Sequence, residues 1–167
     1  MLLLSIAAAI FDLRSRRIPN WLVVSGLVSG FALNGMLAGL TGLGSSLLGF
    51  GLALLIYVPL FTLRAMGGGD VKLMAALGSL CGPHNWLILF VFASLVGGIS
   101  AIVVILGRRA ARSSLTNTMH IFREVAHGRM PFRSNPALDI AHDSSISIPH
   151  GVTIAAGVML FLYSLRP

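Results

Sequence analysis

The chain has 167 residues, of which 56% are hydrophobic and only 10% are charged. Water-soluble domains carry about 25% charged residues, so this composition excludes an ordinary soluble domain and predicts an integral membrane protein, with residues 1–167 as one domain. Membrane orientation explains the net charge of +7 better than nucleic-acid binding does, and a single cysteine, Cys81, excludes an intrachain disulfide.

The N-terminal apolar run, residues 1–11, predicts a short first helix. Such a helix rises about 16 Å, whereas a membrane span needs about 20 residues. The run resembles the core of a signal peptide, but no basic residue precedes it and Asp12 follows it, so cleavage is not expected. Either the first helix is short or the protein begins further upstream.

Later apolar segments predict five more helices, which gives an all-α, polytopic membrane protein of about six helices. They cover residues 21–40, 43–63, 71–80, 86–106 and 149–165. Gly82 and Pro83 follow the short segment and end it, because glycine and proline stop helices. The first two segments are rich in small residues, which let helices approach closely in lipid.

A polar stretch, residues 108–147, separates the last two predicted helices. Apolar residues recur on one helical face of residues 115–127, which predicts a helix lying at the headgroups. Asp139, His142 and Asp143 form a cluster that could bind a metal, but a solvated surface is the favoured interpretation. We therefore predict a cytoplasmic or interfacial loop here and neither a metal site nor a cofactor.

The basic residues predict the orientation of the chain. When the predicted spans are threaded alternately, eleven of the twelve Lys and Arg residues fall on one side. Cytoplasmic loops carry the excess of positive charge, so that side is cytoplasmic. Asp12 and Asp70 both fall on it, at similar depth, although they are far apart in sequence.

These two aspartates are the candidate catalytic residues. Carboxylates beside membrane spans are costly and usually functional. Two carboxylates held close share one proton because both cannot ionise cheaply, and this is the equipment of aspartyl hydrolysis. A position at the start of a helix favours the charged form of Asp70, which predicts that Asp70 is the ionised partner and Asp12 the protonated one.

The residues around Asp70 suggest how a substrate is held. Gly67, Gly68 and Gly69 precede it and can adopt positive φ values, so a peptide substrate could lie against their backbone as an extended strand. Lys72 follows two positions later and would screen Asp70 or orient the substrate.

Other interpretations remain open at this stage. Asp70 could simply cap a helix, and Asp12 could pair with Arg16 one helical turn further on. The conjunction of two acids at one membrane face, one of them after three glycines, favours catalysis. The alternatives are an ion- or proton-translocating subunit that uses the same carboxylates, or a non-catalytic assembly scaffold.

The chain resembles the type IV prepilin peptidase family, which are membrane aspartyl peptidases with a Gly-x-Gly-Asp motif. Three segments carry the resemblance, in family order: Asp12-Leu13-Arg14 followed by Ile18-Pro19-Asn20, then Gly67-Gly68-Gly69-Asp70-Val71-Lys72, then Ile148-Pro149-His150-Gly151. Together they are more specific than Gly-x-Gly-Asp alone.

The resemblance implies catalytic aspartates at Asp12 and Asp70, with Pro149 and Gly151 in the segment that opens the last helix. It also implies six helices in the bacterial inner membrane, a site facing the cytoplasm, and cleavage of prepilins between a basic leader and a hydrophobic helix.

The small size of the chain points to the short form found in tight-adherence (Flp) pilus systems. Larger relatives also methylate their product and carry a cysteine-rich insert between the first two helices. Here only residues 13–20 separate those helices, so methylation is not expected. His150 stands where the family often has an aromatic residue, and the first helix is short for the family.

Overall fold

The computed structural model describes residues 1–63, 66–107 and 150–165, and this part of the chain is helical, without strands. Its helices are α1 (Leu2–Ser15), α2 (Asn20–Thr62), α3 (Gly68–Gly107) and α4 (His150–Ser164). The predicted all-α class is confirmed. The predicted helix at residues 115–127 and the rest of the polar stretch lie outside the described residues.

Helix α1 is longer than predicted, because it continues past residue 11 to Ser15 and includes Asp12. It ends where Arg16 adopts a left-handed conformation, with φ of 51°, and donates its backbone N–H to the Asp12 carbonyl at 2.9 Å. Pro19, in an extended conformation, then precedes α2. Because a left-handed residue ends a helix, the short connector brings the start of α2 beside the end of α1.

Helix α2 folds back on itself at Gly39, which has φ of 58° and ψ of −136°. The Ser46 hydroxyl donates to the Gly30 carbonyl at 3.3 Å, although a straight helix would separate these residues by about 24 Å. The chain therefore reverses between them. The break agrees with the predicted gap between residues 21–40 and 43–63, and glycine allows it because positive φ costs glycine little.

Helix α3 reverses in the same way at Gly82, which has φ of 73° and precedes Pro83. The Trp86 indole N–H donates to the Met74 carbonyl at 3.0 Å, whereas a straight helix would place them about 18 Å apart. The predicted helix stop is confirmed. The predicted start at residue 71 was wrong, since α3 begins at Gly68.

Small residues hold the two hairpins together. A Cβ at Gly49 would collide with the backbone of Gly78, and a Cβ at Gly78 would collide with that of Gly49. Beside this crossing, the Asn34 side-chain amide donates to the Ser46 hydroxyl at 2.8 Å and to the Ser79 carbonyl at 3.0 Å. Close backbone approach and interhelical hydrogen bonds are the contacts that stabilise helix pairs in lipid.

The last helix closes the bundle. α4 packs against α1 and α3, while α1 makes few contacts with α2. At the α3–α4 crossing, a Cβ on Gly157 would lie 2.6 Å from the Ala93 Cα atom. α4 therefore joins the first helix to the hairpins and sets where the end of α1 lies.

The outer surface of the bundle is apolar. α2 and α3 are long and apolar enough to cross a membrane, by length and composition. Only 22% and 11% of their most apolar stretches are buried in the structure, so they are not core helices of a soluble protein. Leu37, Leu40 and Leu55 are among the exposed side chains. So much exposed apolar surface suits a lipid environment.

We expect Gly49→Leu to lower the apparent unfolding temperature in detergent by about 5 °C or more, because overpacking at the Gly78 backbone cannot be relieved by a rotamer change. Gly51→Leu is the matched control, since a Cβ at Gly51 meets nothing within 4 Å. Thermal unfolding followed by circular dichroism measures both. Equal stability of the two variants would contradict this account of the crossing.

Candidate functional site

A cavity of about 500 Å³ opens at the end of the bundle opposite the Gly39 and Gly82 reversals. Its walls come from the end of α1, the connector to α2, and the first turn of α3. The residues that line it are Asp12, Arg16, Arg17, Ile18, Pro19, Asn20, Gly67, Gly68, Gly69, Asp70 and Lys72. The structure thus brings both predicted aspartates, from α1 and α3, to one cavity.

Asp70 lies in the first turn of α3 and is 8% exposed. Its carboxylate accepts a hydrogen bond from the backbone N–H of Gly67, the residue before the helix. Asp70 is therefore not the N-cap itself, which was the alternative that the sequence left open. Asp70 is the third residue of α3 and reaches back to the cap position, as the second partner of a capping box does. The positive end of the helix dipole favours the charged carboxylate there.

The carboxylate of Asp12 is bound by a backbone N–H group near the C-terminal end of the chain. Its Oδ2 atom accepts the backbone N–H of Gly151 at 2.8 Å. Gly151 is the second residue of α4, and first-turn N–H groups have no acceptor within their own helix. Asp12 thereby caps α4 from a different helix. This partner offsets the unfavourable position of an acid near the negative end of α1.

Glycine is required at position 151 for steric reasons. A Cβ there would lie 2.8 Å from the Asp12 Cβ and 3.0 Å from its Oδ2. Both atoms belong to the short, stiff part of the aspartate side chain, so the helix or the carboxylate would have to move. Gly151 was expected from the family resemblance, and the structure supplies a physical role for it. Pro149, expected with it, lies outside the described residues.

The glycine run acts differently from the sequence-based expectation. Among the described residues, the only glycines with positive φ are Gly39 and Gly82, so residues 67–69 do not use the positive φ values that glycine permits. Gly68 and Gly69 form the first turn of α3. A Cβ on Gly69 would meet the Ile18 side chain at 3.4 Å. Because the glycines have no side chains, the N–H groups in the first turn of α3 stay accessible from the cavity.

Lys72 also lines the cavity, and its ammonium donates to the Asn20 side-chain carbonyl at 2.9 Å. This bond joins the first residue of α2 to the second turn of α3. Asn20, Ile18 and the two connector arginines line the cavity too, although the sequence argument did not assign them to the site. The Ile-Pro-Asn segment beside Asp12 was the signal that pointed to them.

His150 adds a third titratable group at the aspartates. It opens α4, directly before the Gly151 N–H that binds Asp12. Its imidazole interacts electrostatically with Asp70, and so does the Asp12 carboxylate. The buried Tyr57, from α2, also interacts electrostatically with Asp70. Asp12 and His150 therefore both lie within electrostatic range of Asp70.

The same groups do not form a metal site. Within residues 1–63, 66–107 and 150–165, no three His, Cys, Asp or Glu side chains are grouped so as to hold a metal ion. The alternative metal cluster, Asp139, His142 and Asp143, lies outside these ranges. The cavity presents two carboxylates, with cationic side chains and helix N–H groups around them.

A model of the type IV leader peptidase family matches residues 1–102. The chain belongs to the type IV leader peptidase family. No curated protein and no solved structure matches it. The predicted family is confirmed. Membership of this family implies a peptidase that acts on pilin-like substrates. The match includes both aspartates but ends before α4.

For this family member we expect Gly151→Ala to lower the rate of substrate cleavage by about tenfold or more, because the added Cβ would displace the carboxylate of Asp12, a predicted catalytic group, by a fraction of an ångström. Gly97→Ala is the control, since a Cβ at Gly97 would meet α4 at an ordinary 3.9 Å from Thr153 Oγ1. Cleavage of a pilin-like precursor in liposomes measures the rates. Wild-type activity of Gly151→Ala would show that the Asp12 contact is dispensable.

Proposed function

We propose that this protein is an aspartyl leader peptidase of the bacterial inner membrane that removes the leader from prepilins or Flp-type pilin precursors at the cytoplasmic face. The observation that carries the proposal is the shared cavity, with Asp12 and Asp70 in its wall and a helix N-terminus at each carboxylate. Membership of the leader peptidase family supports the substrate class.

The proposed chemistry uses one proton shared by the pair. Asp70 is ionised and takes a proton from a water molecule, and the resulting hydroxide attacks the scissile carbonyl carbon. Asp12 gives its proton to the carbonyl oxygen, which forms a neutral gem-diol. Asp70 then protonates the leaving amide nitrogen, one gem-diol hydroxyl returns its proton to Asp12, and the C–N bond breaks. The pair ends in its starting state.

Each aspartate accepts an N–H group at the start of a helix. The Gly67 N–H and the α3 dipole oppose the cost that burial imposes on a charged Asp70. The Gly151 N–H occupies Oδ2 of Asp12, which leaves Oδ1 to carry the proton. N–H groups in the first turn of α3, at Gly68 and Gly69, have no acceptor within their own helix and border the cavity. We propose that they bind carbonyl groups of the substrate backbone.

The hairpins support a six-span arrangement. If each arm of α2 and α3 on either side of Gly39 and Gly82 counts as a separate span, the described helices supply six membrane-crossing or membrane-entering segments. The cavity then lies at the end that carries Arg14, Arg16, Arg17 and Lys72. The positive-inside rule assigns that end to the cytoplasm, where a basic leader emerges from the membrane.

We expect Asp12→Asn and Asp70→Asn each to lower leader removal by about a thousandfold or more, because each variant abolishes one proton-transfer step. Arg14→Gln is the control: it removes a charge from the same turn of α1, but Arg14 is exposed and does not line the cavity. Conversion of precursor to mature pilin, followed by mass spectrometry, measures the rate. Full processing by either Asn variant rejects the aspartate pair.

The same variants separate the alternative functions. An ion-translocating subunit predicts an acid-dependent flux in liposomes without peptide cleavage, and a scaffold predicts that both Asn variants still support pilus assembly. Transport sites tend to lie near the middle of the membrane. Both aspartates instead lie at helix ends, Asp12 in the last turn of α1 and Asp70 in the first turn of α3, which favours the peptidase.

A further inference from the structure

Lys72 places a positive charge in the cavity wall, and a hydrogen bond between two helices fixes its position. Its ammonium donates to the Asn20 side-chain carbonyl at 2.9 Å, and both side chains line the cavity together with Asp12 and Asp70. Two residues of a helix rise only about 3 Å, so Lys72 and Asp70 lie at nearly the same level of α3. A positive charge therefore lies in the same cavity as the pair that is proposed to cleave the substrate.

The partner that orients Lys72 is neutral. Asn20 offers a carbonyl oxygen, and neither Asp12 nor Asp70 lies within ion-pair distance of the ammonium, so among the described residues no carboxylate neutralises it. An ammonium group has three N–H donors, and Asn20 accepts one of them. The start of α2 thus orients the lysine while its charge and two of its donors remain for another group.

Hydrolysis of a peptide bond creates a group that fits this arrangement. Water is added across the C–N bond, so that the acyl side becomes a carboxylic acid and the other side becomes an amine. Near neutral pH the proton of the acid passes to the amine, which leaves a carboxylate on one product and an ammonium on the other. The carboxylate forms beside two aspartates that carry one negative charge between them, and a neighbouring cation offsets the repulsion.

We propose that Lys72 binds the carboxylate that cleavage creates at the new C-terminus of the leader, and that Asn20 is the positioning residue that orients Lys72. The inference rests on the function proposed above. A hydrogen bond between an ammonium and a carboxylate is stronger than one between neutral groups. Arg16 and Arg17 line the same cavity and reinforce its preference for an anion.

A pair of leader peptides tests this without any cleavage step. Both have the sequence of the leader that is removed in the precursor assay, and one ends in a free carboxylate whereas the other ends in a neutral amide. Binding of each fluorescently labelled peptide to the wild-type protein in detergent gives two Kd values. We expect the carboxylate peptide to bind about threefold to tenfold more tightly, as a charged hydrogen bond to an exposed lysine would provide.

Two substitutions of Lys72 test whether its charge is responsible. Lys72→Gln should remove the preference, so that both peptides bind with nearly equal Kd, whereas Lys72→Arg should retain it because the charge remains. Arg14→Gln is the control for loss of a charge elsewhere, since Arg14 is exposed and does not line the cavity. Its preference for the carboxylate peptide should equal that of the wild type.

Asn20→Asp separates the proposed role from a purely structural one. The substitution preserves the size of the side chain and its ability to accept from Lys72, so the link between α2 and α3 persists. The new carboxylate neutralises the ammonium, however, and competes with the peptide for it. We therefore expect Asn20→Asp to lose the preference for the carboxylate peptide, as Lys72→Gln does, with an unfolding temperature no lower than that of the wild type.

Three results overturn the inference when the wild-type protein cleaves the precursor. They are equal Kd values for the two peptides, no binding of either peptide, and a preference for the carboxylate that survives in Lys72→Gln or in Asn20→Asp. Absence of aspartate-dependent cleavage in the wild-type protein is a different result, because it rejects the proposed function itself.

Discussion

The hydrogen bond from the Gly151 N–H to the Asp12 carboxylate joins the two ends of the described chain. It spans 139 positions of sequence at 2.8 Å. An acid in the last turn of α1 would otherwise lie at the negative end of its own helix, and α4 would begin with an unsatisfied N–H group. This one hydrogen bond gives the Asp12 carboxylate a donor and gives the N–H group of α4 an acceptor. It also fixes where the Asp12 side chain lies relative to α3.

This contact depends on how closely the helices approach one another. Gly49 and Gly78 let the α2 and α3 hairpins cross backbone to backbone, and Gly157 lets α4 approach Ala93 of α3. Without these crossings the first turn of α4 would lie further from α1. The glycine-rich composition therefore has two uses: close packing within the bundle, and room for a carboxylate at Gly151.

Local features of the sequence predicted much of the fold. The apolar runs predicted the helices, and Gly82 with Pro83 predicted the reversal within α3, because these residues restrict or free the backbone on their own. The helix bounds were less exact. The third apolar segment was expected to begin a helix at residue 71, but the first turn of α3 extends back through Gly68 and Gly69, with Asp70 reaching back to Gly67.

The sequence by itself determined that the chain is all-helical and apolar and that two acids stand beside its helices, since composition and backbone preference are properties of single residues and short segments. The tertiary structure alone decided that these acids line one cavity, that Gly151 binds one of them and that Lys72 reaches Asn20. Such pairings join residues that are distant in the chain, so they follow from helix packing, to which every contacting residue contributes.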